Sequence, residues 1–125
     1  MIFNTGLDII EIDRIRRSIG RFSGKFEERL FTPVEIQYCR SKANPFPHFA
    51  ARFAVKEAVL KSLGVGLGEG VRWKDIEVVN LASGQPQLNL TGQGKALADA
   101  LQVKHIHISI SHDRSYAIAQ AIAEK

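Results

Sequence analysis

The sequence predicts an α+β fold in which a mainly antiparallel sheet packs on one long central helix. Three observations lead there. Helical and strand patterns do not alternate strictly, as a doubly wound sheet would require. The last two strand-like runs, 105–111 and 115–123, are joined by a short turn, which suits antiparallel neighbours. One helical run, from Pro47 to Leu63, is longer than the others. With 125 residues the chain can bury one core but hardly two, so a single domain over 1–125 is expected.

The elements follow in order. Residues 1 to about 10 are apolar and partly β-branched, and Gly6 and Asp8 predict a strand bent or ended near them. Ile12, Ile15 and Ile19 recur at helical spacing while Arg14, Arg16, Arg17 and Arg21 take the remaining surface, which gives a short amphipathic helix with a basic face. Gly20 and Ser23-Gly24 end it. A second short helix covers Lys25 to Phe31. Thr32-Pro33-Val34-Glu35 then supplies an N-cap, a proline in the first turn and a capping-box glutamate, so a helix starts there and runs to about Lys42. Asn44-Pro45-Phe46-Pro47 stops it and starts the next. On the central helix Phe49, Phe53, Leu60 and Leu63 share one side, and Gly64 is placed as its C-terminal cap. Beyond the glycine-rich run Gly64 to Gly70 come a strand Trp73 to Leu81, a turn Ser83-Gly84-Gln85-Pro86, a strand Gln87 to Leu90, a helix Gly92 to Gln102, and the two final strands.

Composition narrows the function classes. Seventeen Lys and Arg against thirteen Asp and Glu give a net charge of +4, which favours anionic partners without choosing among them. Cys39 is the sole cysteine, so no intramolecular disulfide can form; a reducing, cytoplasmic setting and a buried inert thiol are expected. Met1 to Asp8 lacks the basic start and apolar core of a signal peptide, and no run approaches the ~18 apolar residues of a membrane span. No membrane partner is expected.

Several side chains stand out chemically. Glu57 lies about 40° from Phe53 and about 60° from Leu60 around the central helix, at the edge of the apolar stripe. A carboxylate there needs a cation, a metal or hydrogen-bond donors close by. Its i+4 neighbour is Lys61, and a plain helix-stabilising ion pair is one reading of the two. Asp8 is an acid in an apolar strand, for which a solvated strand end is the bland explanation. Brought together, the two carboxylates would suit Mg²⁺, which commonly takes one or two carboxylates plus water and phosphate oxygens. His112 extends the period-2 apolar series of Ile106, Ile108 and Ile110, whereas His105 and His107 share the opposite face with Ser109 and Ser111. Two roles are open for His112: a satisfied histidine at the core edge, or phosphate and proton chemistry. His48, His105 and His107 read as structural or exposed and do not have the spacing of a zinc site. The glycine-rich run lacks the Lys-Ser or Lys-Thr ending of a P-loop and follows a helix, so it reads either as a phosphate wrap or as a connection.

These residues sit in recognisable motifs. Gly6-Leu7-Asp8-Ile9-Ile10-Glu11-Ile12-Asp13-Arg14-Ile15 resembles the amino-terminal motif of the holo-acyl-carrier-protein synthases among the 4′-phosphopantetheinyl transferases. Arg52-Phe53-Ala54-Val55-Lys56-Glu57-Ala58-Val59-Leu60-Lys61 resembles their central-helix motif. The runs Gly64 to Gly68, Trp73 to Val78, Ser83 to Pro86 and Ile108 to His112 are similar as well, so the resemblance spans nearly the whole chain.

The resemblance implies an enzyme of fatty acid biosynthesis that moves 4′-phosphopantetheine from coenzyme A to a serine of an acyl carrier protein. It implies that Asp8 and Glu57 hold Mg²⁺ against the pyrophosphate, with Lys61 beside the same phosphates as the third catalytic group. Arg52, Gly64, Gly84, Pro86 and His112 match positions that contact coenzyme A. Arg14, with Arg21 and Lys25, matches the basic surface that receives the acidic carrier protein. A homotrimer with shared active sites is also implied. Two residues depart from the pattern: Gln85 stands where a lysine is common, and Asp113 where Ser or Thr often follows the histidine. The rival reading, a basic nucleic-acid module without catalysis, rests on the charge and on the helix Arg14 to Arg21. That helix offers no aromatic platform except Phe22 at its end, so no nucleic acid is expected as a partner.

Overall fold

The computed structural model of the chain describes residues 1–65 and 70–125. Its elements are β1 (Ile2–Glu11), α1 (Ile12–Arg21), α2 (Lys25–Leu30), α3 (Pro33–Arg40), α4 (Phe46–Ser62), β2 (Ile76–Asn80), β3 (Pro86–Leu90), α5 (Gly92–Ala100), β4 (His105–His112) and β5 (Tyr116–Glu124). A short 3-10 turn, Trp73–Asp75, precedes β2 where the sequence pattern had the strand already begun. Of the glycine-rich run, residues 66–69 lie outside the described residues.

All strand pairs are antiparallel. One sheet has the order β1-β5-β4 and a smaller one pairs β2 with β3. The α+β class read from the sequence is the class found.

β1 runs unbroken through Gly6 and Asp8, against the bend or end that their composition predicted. The reason lies across the sheet face. A Cβ on Gly6 would sit 1.9 Å from the carbonyl oxygen of Ala58, so the glycine serves close approach of strand to helix and not a break in the strand. Opposite it, β5 presents Ala117, Ala119, Ala121 and Ala123 to the same side, all buried. Glycine and alanines on the sheet let α4 lie low, and its own Ala50, Ala51, Ala54 and Ala58 are buried in turn.

α4 ends as its sequence predicts. Gly64 has φ +74, the Gly64 N–H reaches the Lys61 carbonyl at 3.0 Å, and the Val65 N–H reaches that of Leu60 at 3.0 Å. This is a Schellman cap, which turns the chain away immediately after Lys61. The Thr32–Glu35 capping box of α3 is also present. Glu35 is fully buried and pairs with the equally buried Lys56 of α4 at 2.8 Å, while its second oxygen accepts from the Val78 N–H at 3.0 Å. Lys56 also donates to the carbonyls of Trp73 and Ile76. One buried ion pair therefore fixes α3, α4 and β2 to each other. No helix among the described residues is long and apolar enough to cross a membrane.

Candidate active site

Alternation along β1 turns Gly6, Asp8 and Ile10 toward α4, and the close approach at Gly6 sets the height at which Asp8 meets that helix. Lys61, in the last turn of α4, donates to the Leu7 carbonyl at 2.8 Å and to Asp8 Oδ1 at 3.2 Å. Asp8 is mostly covered, with 16% of its side chain exposed, whereas Lys61 keeps 53% in solvent. Glu57 lies one helical turn before Lys61 and is half-buried. Burial pushes its carboxyl above the ordinary glutamate range, and the neighbouring Asp8 charge pushes it further; Lys61 and Arg14 pull the other way. The structure thus brings Asp8, Glu57 and Lys61 together, as the motifs implied, and adds Arg14 at the margin.

A second group of the motif residues gathers elsewhere on the same helix. Residues 52 and 57 project about 140° apart around α4, so Arg52 faces away from Glu57. Arg52 is 3% exposed. Its guanidinium lies 4.1 Å from the centre of the Tyr38 ring, and its Nη2 donates to Asn80 Oδ1 at 2.5 Å. The Asn80 amide in turn donates to the Gly84 carbonyl at 3.0 Å, in the turn where Gly84 takes φ +90 and Pro86 opens β3. His112, exposed at the end of β4, has its ring 6.0 Å from that of His48, which is itself 5.9 Å from Tyr38. Burial depresses the His48 imidazole, and His112, Lys42 and Arg52 depress it further. Arg52, Gly84, Pro86 and His112 therefore surround one end of α4, and no hydrogen bond or ion pair joins them to Asp8, Glu57 and Lys61 among the described residues. Tyr38, His48 and Asn80 belong to this second group although no sequence pattern singled them out. Their one signal is proximity to motif residues, which only the fold reveals.

The two departures have local explanations. Asp113 Oδ1 accepts from the Ser115 and Tyr116 N–H groups at 2.8 and 2.7 Å, and those donors hold its carboxyl below the usual range, so it caps the β4–β5 turn. Gln85 is an exposed turn residue whose N–H meets Ser83 Oγ at 3.3 Å.

On α1, Arg14, Arg17, Ser18 and Arg21 line a shallow groove. Arg16 and Arg17 are both paired with Asp13. Arg14, Arg21 and Lys25 are exposed and make no ion pair among the described residues, which leaves their charge available.

This architecture belongs to a known class. Residues 4–121 match the family model of the 4′-phosphopantetheinyl transferase superfamily, and the chain belongs to that family. It is 49% identical over 124 residues to a holo-[acyl-carrier-protein] synthase of Solibacter usitatus, covering 99% of each chain. Among solved structures it resembles the holo-[acyl-carrier-protein] synthase of Neisseria meningitidis, with TM-score 0.92, 29% identity and full coverage of both chains. It also resembles that of Helicobacter pylori in complex with coenzyme A, with TM-score 0.85 and 35% identity over 96% of this chain and 99% of the other. Nothing in these likenesses supports a nucleic-acid module.

Proposed function

We propose that the chain is a single-domain cytoplasmic holo-acyl-carrier-protein synthase. It transfers 4′-phosphopantetheine from coenzyme A to a serine of an apo-acyl carrier protein, in support of fatty acid synthesis. The observation that carries the reading is the meeting of Asp8, Glu57 and Lys61 at the close contact of β1 with α4. Two half-buried carboxylates that repel each other, with one lysine beside them, form an all-oxygen donor set suited to a hard divalent cation. Asp8 and Glu57 would hold Mg²⁺; when bound it neutralises charge on the pyrophosphate of coenzyme A. Lys61, anchored on the Leu7 carbonyl, supplies a second positive charge to the same phosphates.

In the reaction the carrier-protein serine oxygen forms a bond to the β-phosphorus. The bridging P–O bond breaks, and adenosine 3′,5′-bisphosphate leaves with the electron pair. The serine proton passes to water or to a carboxylate of the pair. Phosphoryl transfer of this kind is catalysed mainly by positioning and by charge stabilisation, which is what this cluster offers.

The nucleotide end of coenzyme A would meet Arg52, the Gly84–Pro86 turn and His112, while Gly64, directly after Lys61, would contact the same substrate beside the lysine. Within one chain Arg52 and Glu57 face different sides of α4, so we assign the complete site to a junction of subunits in a homotrimer. An exposed apolar face supports this. Leu7 and Ile9 on β1 are 57% and 61% exposed, Ile118 lies directly opposite Ile9, and Tyr116 continues the same face. Such a patch fits a symmetric self-interface. The acidic carrier protein would dock on Arg14, Arg21 and Lys25.

The deciding experiment is mass spectrometry of an apo-acyl carrier protein incubated with the purified protein, coenzyme A and Mg²⁺. The carrier should gain one phosphopantetheine, and EDTA should stop the gain. An unchanged carrier mass would overturn the reading.

A further inference from the structure

The outward face of the three-stranded sheet does not end with its apolar residues. Along β5 it runs from Ile118 through Gln120 and Ile122 to Glu124. On β4, His107 stands opposite Ile122 and His105 opposite Glu124. Alternation turns all of these side chains to one side, so the apolar patch and the two histidines are a single surface. Four residues of strand, about 13 Å, separate the Ile118 row from the His107 row.

That end of the face is built from protonatable groups. The His105 and His107 rings stack, 19° from parallel, with centroids 5.5 Å apart. His107 Nε2 donates to Glu124 Oε1 at 3.1 Å. This bond first, and then the charges of His107, the Met1 amine and His105, hold the Glu124 carboxyl below its usual range. His105 makes no ion pair among the described residues. Around it lie Lys104 and, across the cleft between β4 and α5, Lys95 and Asp99, which pair with each other at 2.6 Å. Lys125 and the Met1 amine, which donates to the Lys125 carbonyl at 3.2 Å, add positive charge at the same edge.

Histidine is the side chain whose charge changes between about pH 5 and 8. The first proton taken up by this stack is matched by Glu124, and the second is not. It leaves two cations in stacked contact beside lysines. In one copy water relieves that repulsion, because His107 keeps 58% of its side chain exposed. Where further copies cover the face, water is excluded and the repulsion strengthens. A closed ring also brings the like ends of its copies toward one axis, so the excess charge is repeated there.

We propose that His105, His107 and Glu124 form a proton-sensitive end of the interface between copies of this chain, which loosens the assembly when both imidazoles are charged. The inference rests on the homotrimer reading. A second copy is the occupant because the face runs without a break from the apolar patch of Leu7, Ile9 and Ile118 into the histidine end.

The test is subunit exchange between unlabelled and isotope-labelled protein, incubated at about pH 8 and about pH 5.5 and read as mixed assemblies by native mass spectrometry. The unaltered protein should exchange about tenfold faster at the lower pH, because the separated copies bind the second proton more readily. His105→Gln and His107→Gln each leave one imidazole for Glu124 to match, so in either variant the two rates should agree within about threefold. Both histidines are exposed, and neither substitution reaches the core. Acid acceleration of the same size in both variants as in the unaltered protein would overturn the proposal, since every other titrating group is retained. Rates that do not differ with pH in the unaltered protein would overturn it too, as would the absence of exchange at either pH. Monomer masses alone at both pH values would instead sink the homotrimer reading, and this inference with it.

Discussion

Lys61 reaches back from the end of α4 to Asp8, 3.2 Å away across 53 residues of sequence, and rests on the Leu7 carbonyl as it does so. That contact makes the lysine part of the strand as much as of the helix. Lys61→Met should therefore remove a fixed positive charge from the phosphates, not a mobile surface one. We expect kcat/KM to fall about 100-fold or more, the usual cost of losing one preorganised stabilising donor. Thermal stability should fall only modestly, because Lys61 itself keeps 53% of its side chain in solvent although Asp8 loses its cation. A loss under threefold in steady-state assays would show that Lys61 does not meet the substrate.

Glu57 should trade stability for function. Burial and Asp8 raise its carboxyl above the ordinary range, so the folded protein keeps that proton to higher pH than the unfolded chain does. The folded state then loses stability as pH rises from the ordinary glutamate range through the raised value, and the full penalty is present at pH 7. Glu57→Gln removes it. In metal-free protein the variant should melt about 2–4 °C higher than the unaltered chain at pH 7, with the gap closing near pH 4. Transfer activity should drop by about two orders of magnitude or more. Melting curves at the two pH values check the sign.

Gly6→Ala tests the close approach that builds the site. The added methyl would stand 1.9 Å from a backbone carbonyl oxygen, and neither the strand nor the helix can yield as a flexible side chain would. Separating β1 from α4 moves Asp8 from Glu57 and Lys61. We expect a loss of about 2–4 kcal/mol in urea unfolding, as for overpacked core sites, together with loss of transfer in whatever protein remains folded. Full activity would mean that the carboxylate pair tolerates a wider gap than the close contact implies.

How far the sequence could be read depended on how local each interaction is. The α3 capping box and the glycine cap of α4 are formed by residues three to five apart, and both stand where the pattern put them. Gly6 was misread because a glycine in a strand signals either a break or a close neighbour, and the neighbour, Ala58, lies 52 positions later. Asp8 and Glu57 were each explicable singly as a strand end and a helix ion pair; motif resemblance, not periodicity, joined them. Asn80, Tyr38 and His48 carry no spacing signal at all. Their meaning comes from a buried arginine whose surroundings only the folded chain assembles.

The Lys56–Glu35 pair should matter for stability more than its count as one ion pair implies. Both groups are fully buried, and desolvation holds the Lys56 ammonium below its usual range despite Glu35. Lys56→Met would leave Glu35 buried without its cation. We expect about 3–5 kcal/mol of destabilisation, visible as a lower urea midpoint with an unchanged slope. Changing Glu35 to leucine as well should not restore the loss, because the Val78 N–H would then lose its acceptor. Recovery of wild-type stability in the double variant would show that the pair only compensates its own burial.

Arg14 connects docking with chemistry, since it lies in the groove of α1 with Arg17, Ser18 and Arg21 and its charge also reaches Glu57. Asp13 already engages Arg16 and Arg17, which leaves Arg14 and Arg21 of that helix without an ion pair among the described residues. An acidic carrier protein would be steered by those charges before its serine reaches the cluster of Asp8, Glu57 and Lys61. Arg14→Glu should raise the KM for carrier protein about tenfold or more at low salt, and by much less at about 0.5 M, because exposed charges are screened as ionic strength rises. The KM for coenzyme A should change little, which separates docking from damage to the site. Arg21→Glu should show the salt-dependent effect alone, because the charges that act on the Glu57 carboxyl are those of Asp8, Lys61 and Arg14. Initial-rate measurements with varied carrier protein at two salt concentrations decide the matter: an unchanged KM in both variants at low salt would mean that α1 has no part in receiving the carrier.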